Sequence, residues 1–289
     1  MKTYNDIYIE ARRKLRAAEI EAYDLEARLI MAYATGKSQR EFLRDSRMFA
    51  TEPGFEEAVG ALMDRRIGGE PVAYIVGEWE FYGLPITVNP SVLIPRADTE
   101  ILAGAAIEIL RQRSRASRAL DLCSGSGCVG IAIAANAPFC RVVLGDKLQE
   151  AVRISRTNIQ RNGLTRTVAA IEVDALEKPP QLLGRFDIIV SNPPYIPTAD
   201  ISWLDVSVRD YEPAIALDGG EDGLAFYRAI SSKWKALLKE NGHLAFECGM
   251  GQAEDVCGIM AANGFADIGV INDLHEIRRV VTGKIQGGL

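Results

Sequence analysis

From Arg118 onward, short apolar runs alternate with segments of helical period, and this alternation confines that part of the chain to a mainly parallel sheet covered on both faces. The runs RALDLC, RVVLGD, VAAIEVDA, FDIIVS and HLAFECG read as strands. The segments CVGIAIAANA, LQEAVRISRTNIQRNG, GLAFYRAISSKWKALLKENG and GQAEDVCGIMAANG read as helices between them. The final pair, DIGVIND and RRVVTGK, has too little chain between its members for a helical crossover, so an antiparallel ending is expected. Ligands of such sheets sit beyond the carboxyl ends of the strands, so the strand ends are the residues to interpret.

The preceding chain has a different texture. Residues 1–70 show short amphipathic helical stretches separated by brief turns, which suggests a small bundle. Asp24 is a plausible N-cap for DLEARLIMAYATG, Gly36 its stop, and Ser38 begins another helix. Residues 71–95 contain AYIVGEWEFYGLPITV, rich in β-branched and aromatic residues around a Gly83-Leu84-Pro85 turn, and read as a hairpin linker. Residues 96–289 form the alternating domain.

Composition limits the function classes. A formal net charge of −6 argues against a chain built to coat nucleic acid. Five scattered cysteines without a C-x-x-C pair, and only two histidines, are no zinc inventory, so no metal is expected. The cysteine pattern suits a reducing cytosol. The first residues lack an apolar signal core and no apolar run reaches spanning length, so the expectation is a soluble cytoplasmic protein without membrane contact.

Each strand end offers a specific chemistry. After the first strand, Cys123, Ser124, Gly125, Ser126 and Gly127 lead into a helix, and glycines 125, 127 and 130 match G-x-G-x-x-G. Such a loop lets a nucleotide-like ligand approach the backbone, or is only a tight strand-to-helix turn. The second strand ends at Asp146, whose carboxylate suits an adenosine ribose diol or caps the following helix. The third ends at Asp174-Ala175, where a carboxylate can accept from an adenine amine or stand solvated in a loop. The fourth ends in Asn192-Pro193-Pro194-Tyr195. Hydride transfer has no use for that segment, whereas methyl transfer to a planar nitrogen does. The Asn192 side-chain oxygen and the Pro193 carbonyl form an acceptor pair for an –NH₂ group, and proline adds no competing donor. Tyr195 can pack against a flat substrate group and near a cationic donor. The alternative is a proline-rich turn that merely closes the strand.

Taken together, DLCSGSGCVGIAIA, Asp146, FDIIVSNPPYIP and YEPAIALDGGEDGL resemble the HemK/PrmC family of peptide chain release factor N5-glutamine methyltransferases. The resemblance extends to RRIGGEPVAYIVGEWEFYGLPITVNPSVLIPRADTE and to the helical segment before it, nearly the full chain. It implies a Rossmann-like class I S-adenosylmethionine-dependent methyltransferase domain behind a helical substrate-docking domain and a hairpin. It implies S-adenosyl-L-methionine as cofactor, held by residues 123–127, Asp146, Asp174 and Ala175, with Asn192 also near it. It implies a glutamine amide held at Asn192–Tyr195 and release factors as protein partners. Cys123 stands where a first glycine is common, LGDKLQEAV lacks the usual Asp-Ile-Ser, and DLHEIRRVV departs from Asp-Leu-Ala-Gly-x-x-Arg. Two other readings compete: an adenine-amino methyltransferase using the basic run 111–118 with Arg153, Arg156, Arg161 and Arg166, and a catalytically silent release-factor-binding module.

Overall fold

The computed structural model describes residues 1–113 and 116–285; Ser114 and Arg115 of the basic run lie outside the described residues. The chain divides into two compact units. The first comprises Met1–Glu78 together with Val206–Tyr211, and the second Trp79–Asp205 together with the chain from Glu212.

In the first unit, helices α1 (Tyr4–Ala17), α2 (Tyr23–Thr35), α3 (Gln39–Asp45) and α4 (Phe55–Ile67) are followed by a short α5 (Val72–Val76). Helices α1 and α3 open with capping boxes: Thr3 with Asp6 and Ser38 with Glu41. These satisfy amides that a helix start leaves without partners. Tyr4, Ile7, Ala11 and Leu15 of α1 and Ala27, Ile30 and Met31 of α2 are buried, and Tyr4 meets Phe55 edge-on at 5.3 Å. Asp24 does not cap α2; the cap position is Ala22, and Asp24 instead holds Arg12 at 2.6 Å and accepts from the Tyr8 hydroxyl at 3.1 Å. Asp24 falls inside the first turn of α2, which begins one residue earlier at Tyr23, so it is not in the cap position. The run AYIV, expected to be strand, is the helical α5, because Pro71 opens it and Gly77, at φ 73°, ends it. Its buried Val72, Ala73, Tyr74 and Ile75 outweigh the β preference of the sequence.

The hairpin of β1 (Glu78–Phe81) and β2 (Leu84–Thr87) carries the chain from the first unit into the second, which starts at Trp79, and turns at Tyr82-Gly83 rather than at Leu84-Pro85. Helix α6 (Thr99–Arg111) precedes β3 (Ser117–Leu122), α7 (Cys128–Asn136), β4 (Cys140–Asp146), α8 (Gln149–Arg161), β5 (Val168–Glu172) and β6 (Phe186–Ser191). After the excursion through α9 (Val206–Arg209) come α10 (Ala225–Lys233), β7 (Leu238–Glu247), α11 (Ala253–Ala262), β8 (Phe265–Asn272) and β9 (Arg278–Ile285). Lys239–Gly242, which read as the end of a helix, belong to β7, since Leu238 already pairs with Phe186.

Seven strands form one sheet in the order β5-β4-β3-β6-β7-β9-β8. All neighbours are parallel except those of β9, which runs antiparallel to both β7 and β8. Strand β6 is central and buried at all six residues, as its unbroken apolar run requires. The chain proceeds outward from β3 to β5 on one side and from β6 on the other. The reversal between β3 and β6 opens a crevice at their carboxyl ends. Helix α7 lies very close to β4: a Cβ at Gly130 would stand 2.1 Å from Leu144 Cδ2, so a larger residue there would force Leu144 to move. At the opposite, amino end of β6, Asp187 is fully buried between Arg113 at 2.7 Å and Lys239 at 2.6 Å, and accepts from the Arg118 amide at 2.8 Å.

Candidate active site

A cavity of about 420 Å³ opens at the carboxyl ends of the parallel strands, wholly within the second unit. Of the residues singled out from sequence, Cys123, Ser124, Gly125, Ser126, Asp146, Asp174, Ala175, Asn192 and Pro194 line it. Gly127, Pro193 and Tyr195 lie outside its wall. Gly127 is the left-handed N-cap of α7, at φ 82°, and a Cβ there would meet Leu144 at 2.7 Å.

The glycine loop is shaped by its backbone. Cys123 and Gly125 hold φ of 57° and 52°. The first of these costs a non-glycine residue on the order of 1–3 kcal/mol, which the surrounding structure offsets. The Gly125 amide donates to Asp146 Oδ2 at 2.8 Å, and the Leu148 amide to its Oδ1 at 2.9 Å. Asp146 thus ties the loop after β3 to the end of β4 while each of its oxygens keeps a further lone pair. Burial pushes its carboxyl above the ordinary range, against the pull of those backbone amides. Asp121, inside β3, faces the cavity and accepts from the Gly130 amide at 2.9 Å. Its burial, with Asp146 nearby, raises it to about 7.

Asp174 behaves differently. Partial burial opposes its charge, but Lys147 at 2.9 Å and the Leu176 amide at 2.8 Å outweigh it and hold the carboxyl below its ordinary value. Ala175 is placed by Trp234, whose buried indole donates to the Ala175 carbonyl at 2.9 Å.

The segment after β6 is fixed by contacts remote in sequence. The Ile196 amide donates to the Leu217 carbonyl at 3.0 Å, and the Gly219 amide to the Ile196 carbonyl at 2.8 Å. Gln252 donates to the Tyr195 carbonyl at 2.9 Å and accepts from the Gly249 amide at 3.0 Å. Gly219 and Gly223 must be glycine: a Cβ would stand 2.8 Å from Tyr195 Cα and 2.3 Å from its carbonyl oxygen. Burial raises the Tyr195 phenol to about 12, so it stays neutral. Asn192 Nδ2 donates to the Thr99 hydroxyl at 3.1 Å. Among the described residues, no donor reaches Asn192 Oδ1 or the Pro193 carbonyl. Asn192, in the cavity wall, and Pro193, next to it in the chain, thus each keep an acceptor without a donor among the described residues.

Sequence reasoning missed Arg96, Thr99, Asp121, Glu212, Glu247 and Gln252. Arg96 lines the cavity and pairs with the buried Glu212, which also accepts from the Ile94 amide at 3.3 Å. An acid inside the apolar run of β3 was the one local signal, for Asp121. Several arginines considered for a nucleic-acid face are engaged internally: Arg153 with Glu150, Arg156 with the Ala170 carbonyl, and Arg118 with the Leu183 and Arg185 carbonyls. Among the described residues, no helix is long and apolar enough to cross a membrane.

The strand order, the single reversed strand and the crevice at the switch point define a class I methyltransferase. A methyltransferase from Pyrococcus furiosus has the same fold, with a TM-score of 0.50 and 17% identity over 79% of this chain and 100% of that one. The family model described as methyltransferase small domain matches residues 99–203, and that of the PrmC N-terminal domain matches residues 6–77. The release factor glutamine methyltransferase of Clostridium acetobutylicum is 38% identical over 98% of this chain and 99% of its own length. That of Geobacter sulfurreducens is 44% identical over 79% of this chain and 78% of its own. The chain belongs to the release factor glutamine methyltransferase family.

Proposed function

We propose that this chain transfers a methyl group from S-adenosylmethionine to the side-chain amide nitrogen, N5, of the glutamine in the Gly-Gly-Gln segment of peptide chain release factors. The observation that carries this reading is that Asn192 Oδ1, on a residue lining the cavity, and the carbonyl of the adjacent Pro193 both lack a donor among the described residues. The substrate named for the curated relatives supports it. A cytoplasmic location follows from that substrate.

The cavity residues fit the cofactor. Asp146 keeps acceptor capacity for a ribose diol, and Asp174, in the same cavity wall, offers an acceptor for an adenine amine. Val173, Ala175 and Leu148 supply apolar wall for a flat ring, and the buried Ser126 hydroxyl has no partner among the described residues. The acids Asp121, Asp146 and Asp174 suit a cationic ligand. When bound, S-adenosylmethionine supplies an electrophilic methyl on a sulfonium.

The protein's part is orientation and electrostatics. An amide nitrogen is a poor nucleophile because its lone pair is delocalised. Acceptors at Asn192 and Pro193 hold both of its N–H groups and favour a tetrahedral nitrogen, with developing positive charge met by their dipoles. Alkylation makes the nitrogen acidic, so its proton leaves to water and no strong general base is needed. The helical unit would dock the protein substrate, so intact release factor should be methylated with a higher kcat/KM than a free Gly-Gly-Gln peptide.

The test is incubation with methyl-labelled S-adenosylmethionine and intact release factor, with mapping of the modified residue. Label on the target glutamine, lost when that glutamine is replaced, is the expected result. Undiminished labelling of the replaced factor, or label on nucleic acid instead, would refute the assignment.

A further inference from the structure

Glu247 ends β7 deep inside the protein, 3% exposed, and its Oε2 finds no hydrogen-bond partner among the described residues. Burying a carboxylate without full pairing is costly. The cation nearest in function, Arg279, is already shared by Asp98 at 3.2 Å and Asp273 at 3.0 Å. Strands β6 and β7 are parallel with Ser191 opposite Phe246, so Asn192 and Glu247 each directly follow that last pair. Thr99, at the start of α6, completes the group, since its hydroxyl accepts from Asn192 Nδ2.

We propose that Glu247 is a positioning residue that sets which way the Asn192 amide faces, acting on it directly and through Thr99. An ionised carboxylate only accepts. Thr99 and Asn192 both neighbour this carboxylate as donors; with the Thr99 proton turned toward Glu247, the Thr99 oxygen is left to accept from Asn192. The Asn192 –NH₂ is therefore held inward and Oδ1 outward, toward the substrate amide. A neutral group at 247 removes that constraint. It can donate to Thr99, which then donates to Asn192 Oδ1 and turns the –NH₂ group toward the crevice. There it faces the donors of the substrate instead of accepting from them.

The electrostatic surroundings agree. Burial raises Glu247 to about 7; hydrogen bonds from Thr99 and Asn192 and the charge of Arg279 favour its ionised form, and Asp98 disfavours it. The other titratable groups facing it are Tyr195, Tyr227, Cys128 and Cys248. Burial keeps all four neutral near pH 7. Glu247 is thus the group of this set that changes charge there; Asp121, also raised to about 7, lines the cavity from β3 and is kept in every variant below. Activity should rise with pH as Glu247 ionises.

This inference rests on the reading of Asn192 as an acceptor for the substrate amide. The experiment compares kcat against pH, at saturating cofactor and release factor, for wild type, Glu247→Gln, Thr99→Val, the double variant and Asn192→Ala. The expected result is a limb near pH 7 in wild type whose Glu247 part is absent in Glu247→Gln and weakened in Thr99→Val, with kcat of Glu247→Gln about tenfold or more lower at pH 8, while a limb set by Asp121 persists in every variant. The double variant should be no worse than Glu247→Gln alone, because loss of the carboxylate already removes both of its contacts. Unchanged cofactor affinity by calorimetry separates this from a damaged fold. If Asn192→Ala is inactive while Thr99→Val keeps the wild-type rate and pH limb, the relay is wrong and the amide clamp stands. If Asn192→Ala itself turns over normally, the clamp reading falls and the relay with it. Should Glu247→Gln fail to fold, Thr99→Val alone decides.

Discussion

Two buried carboxylates on neighbouring strands meet opposite fates. Asp187, at the amino end of β6, is matched by Arg113, Lys239 and the Arg118 amide. Burial opposes its charge, but Lys239 and the Arg118 amide prevail and hold it below the usual carboxylate range. Glu247, at the carboxyl end of β7, is as deeply buried but poorly compensated, and rises to about 7. Asp121, at the same end, also rises to about 7. The amino end of the sheet satisfies its charges and serves stability. The carboxyl end leaves acids and acceptors incompletely matched, as a site that must receive a cation and an amide requires.

The largest effect should come from the satisfied end. Asp187→Ala leaves Arg113 and Lys239 without their shared anion. Loss of a partner from a buried ion pair destabilises by about 3–5 kcal/mol. Denaturant unfolding should show that loss, while activity per folded molecule at low temperature stays near wild type. A stable Asp187→Ala protein would mean that this end is no more specialised for stability than the other.

Asn192→Ala should invert that pattern. Its loss removes one open acceptor at the crevice and should lower kcat by about 10²–10³-fold, the scale for deleting one preorganised dipole. Cofactor affinity and unfolding midpoint should change little. Asp146→Ala comes next. It removes the tie to the Gly125 and Leu148 amides and the expected diol acceptor, so cofactor binding should weaken by about 1.5–3 kcal/mol by calorimetry. Unchanged affinity in a folded variant would take Asp146 out of the site.

The same contrast explains what could be read in advance. The alternation after Arg118, the reversed last strand and the glycine loop are local patterns of period, turn and strand end, and all are present in the fold. Asn192 and Pro194 at the cavity also followed from a contiguous motif. The supporting shell did not. Thr99 reaches Asn192 across 93 residues, and Gln252 reaches the Tyr195 carbonyl across 57. Neither pairing has a local signature. Glu247 stands in HLAFECG like any polar residue ending a strand; only its burial reveals its cost. Val72–Val76 was obscure for the opposite reason, because a β-rich composition is overruled by Pro71, Gly77 and burial on the bundle.

The smallest expected effect is also the most direct contrast of the two acids: they should give stability opposite pH dependences. Asp187 has a lowered pKa in the folded state, so its contribution is present above the unfolded value and is lost as pH falls through the folded one. Relative to Asp187→Asn, wild type should gain stability as pH rises through the acid range and then level off. Glu247 has a raised pKa, about 7, against an unfolded value near that of an ordinary glutamate. Its ionisation therefore works against folding: no penalty applies below the unfolded pKa, and the penalty grows until pH passes the folded one. Relative to Glu247→Gln, wild type should lose stability between pH 5 and pH 8. The full shift corresponds to about 3 kcal/mol, and relaxation with water entry around the charge should reduce this to about 1–2 kcal/mol. Urea midpoints for the two pairs of proteins, measured at matched pH values, give both slopes. Slopes of the same sign would mean that Glu247 is compensated as well as Asp187, and the division of the sheet into a satisfied and an unsatisfied end would not hold.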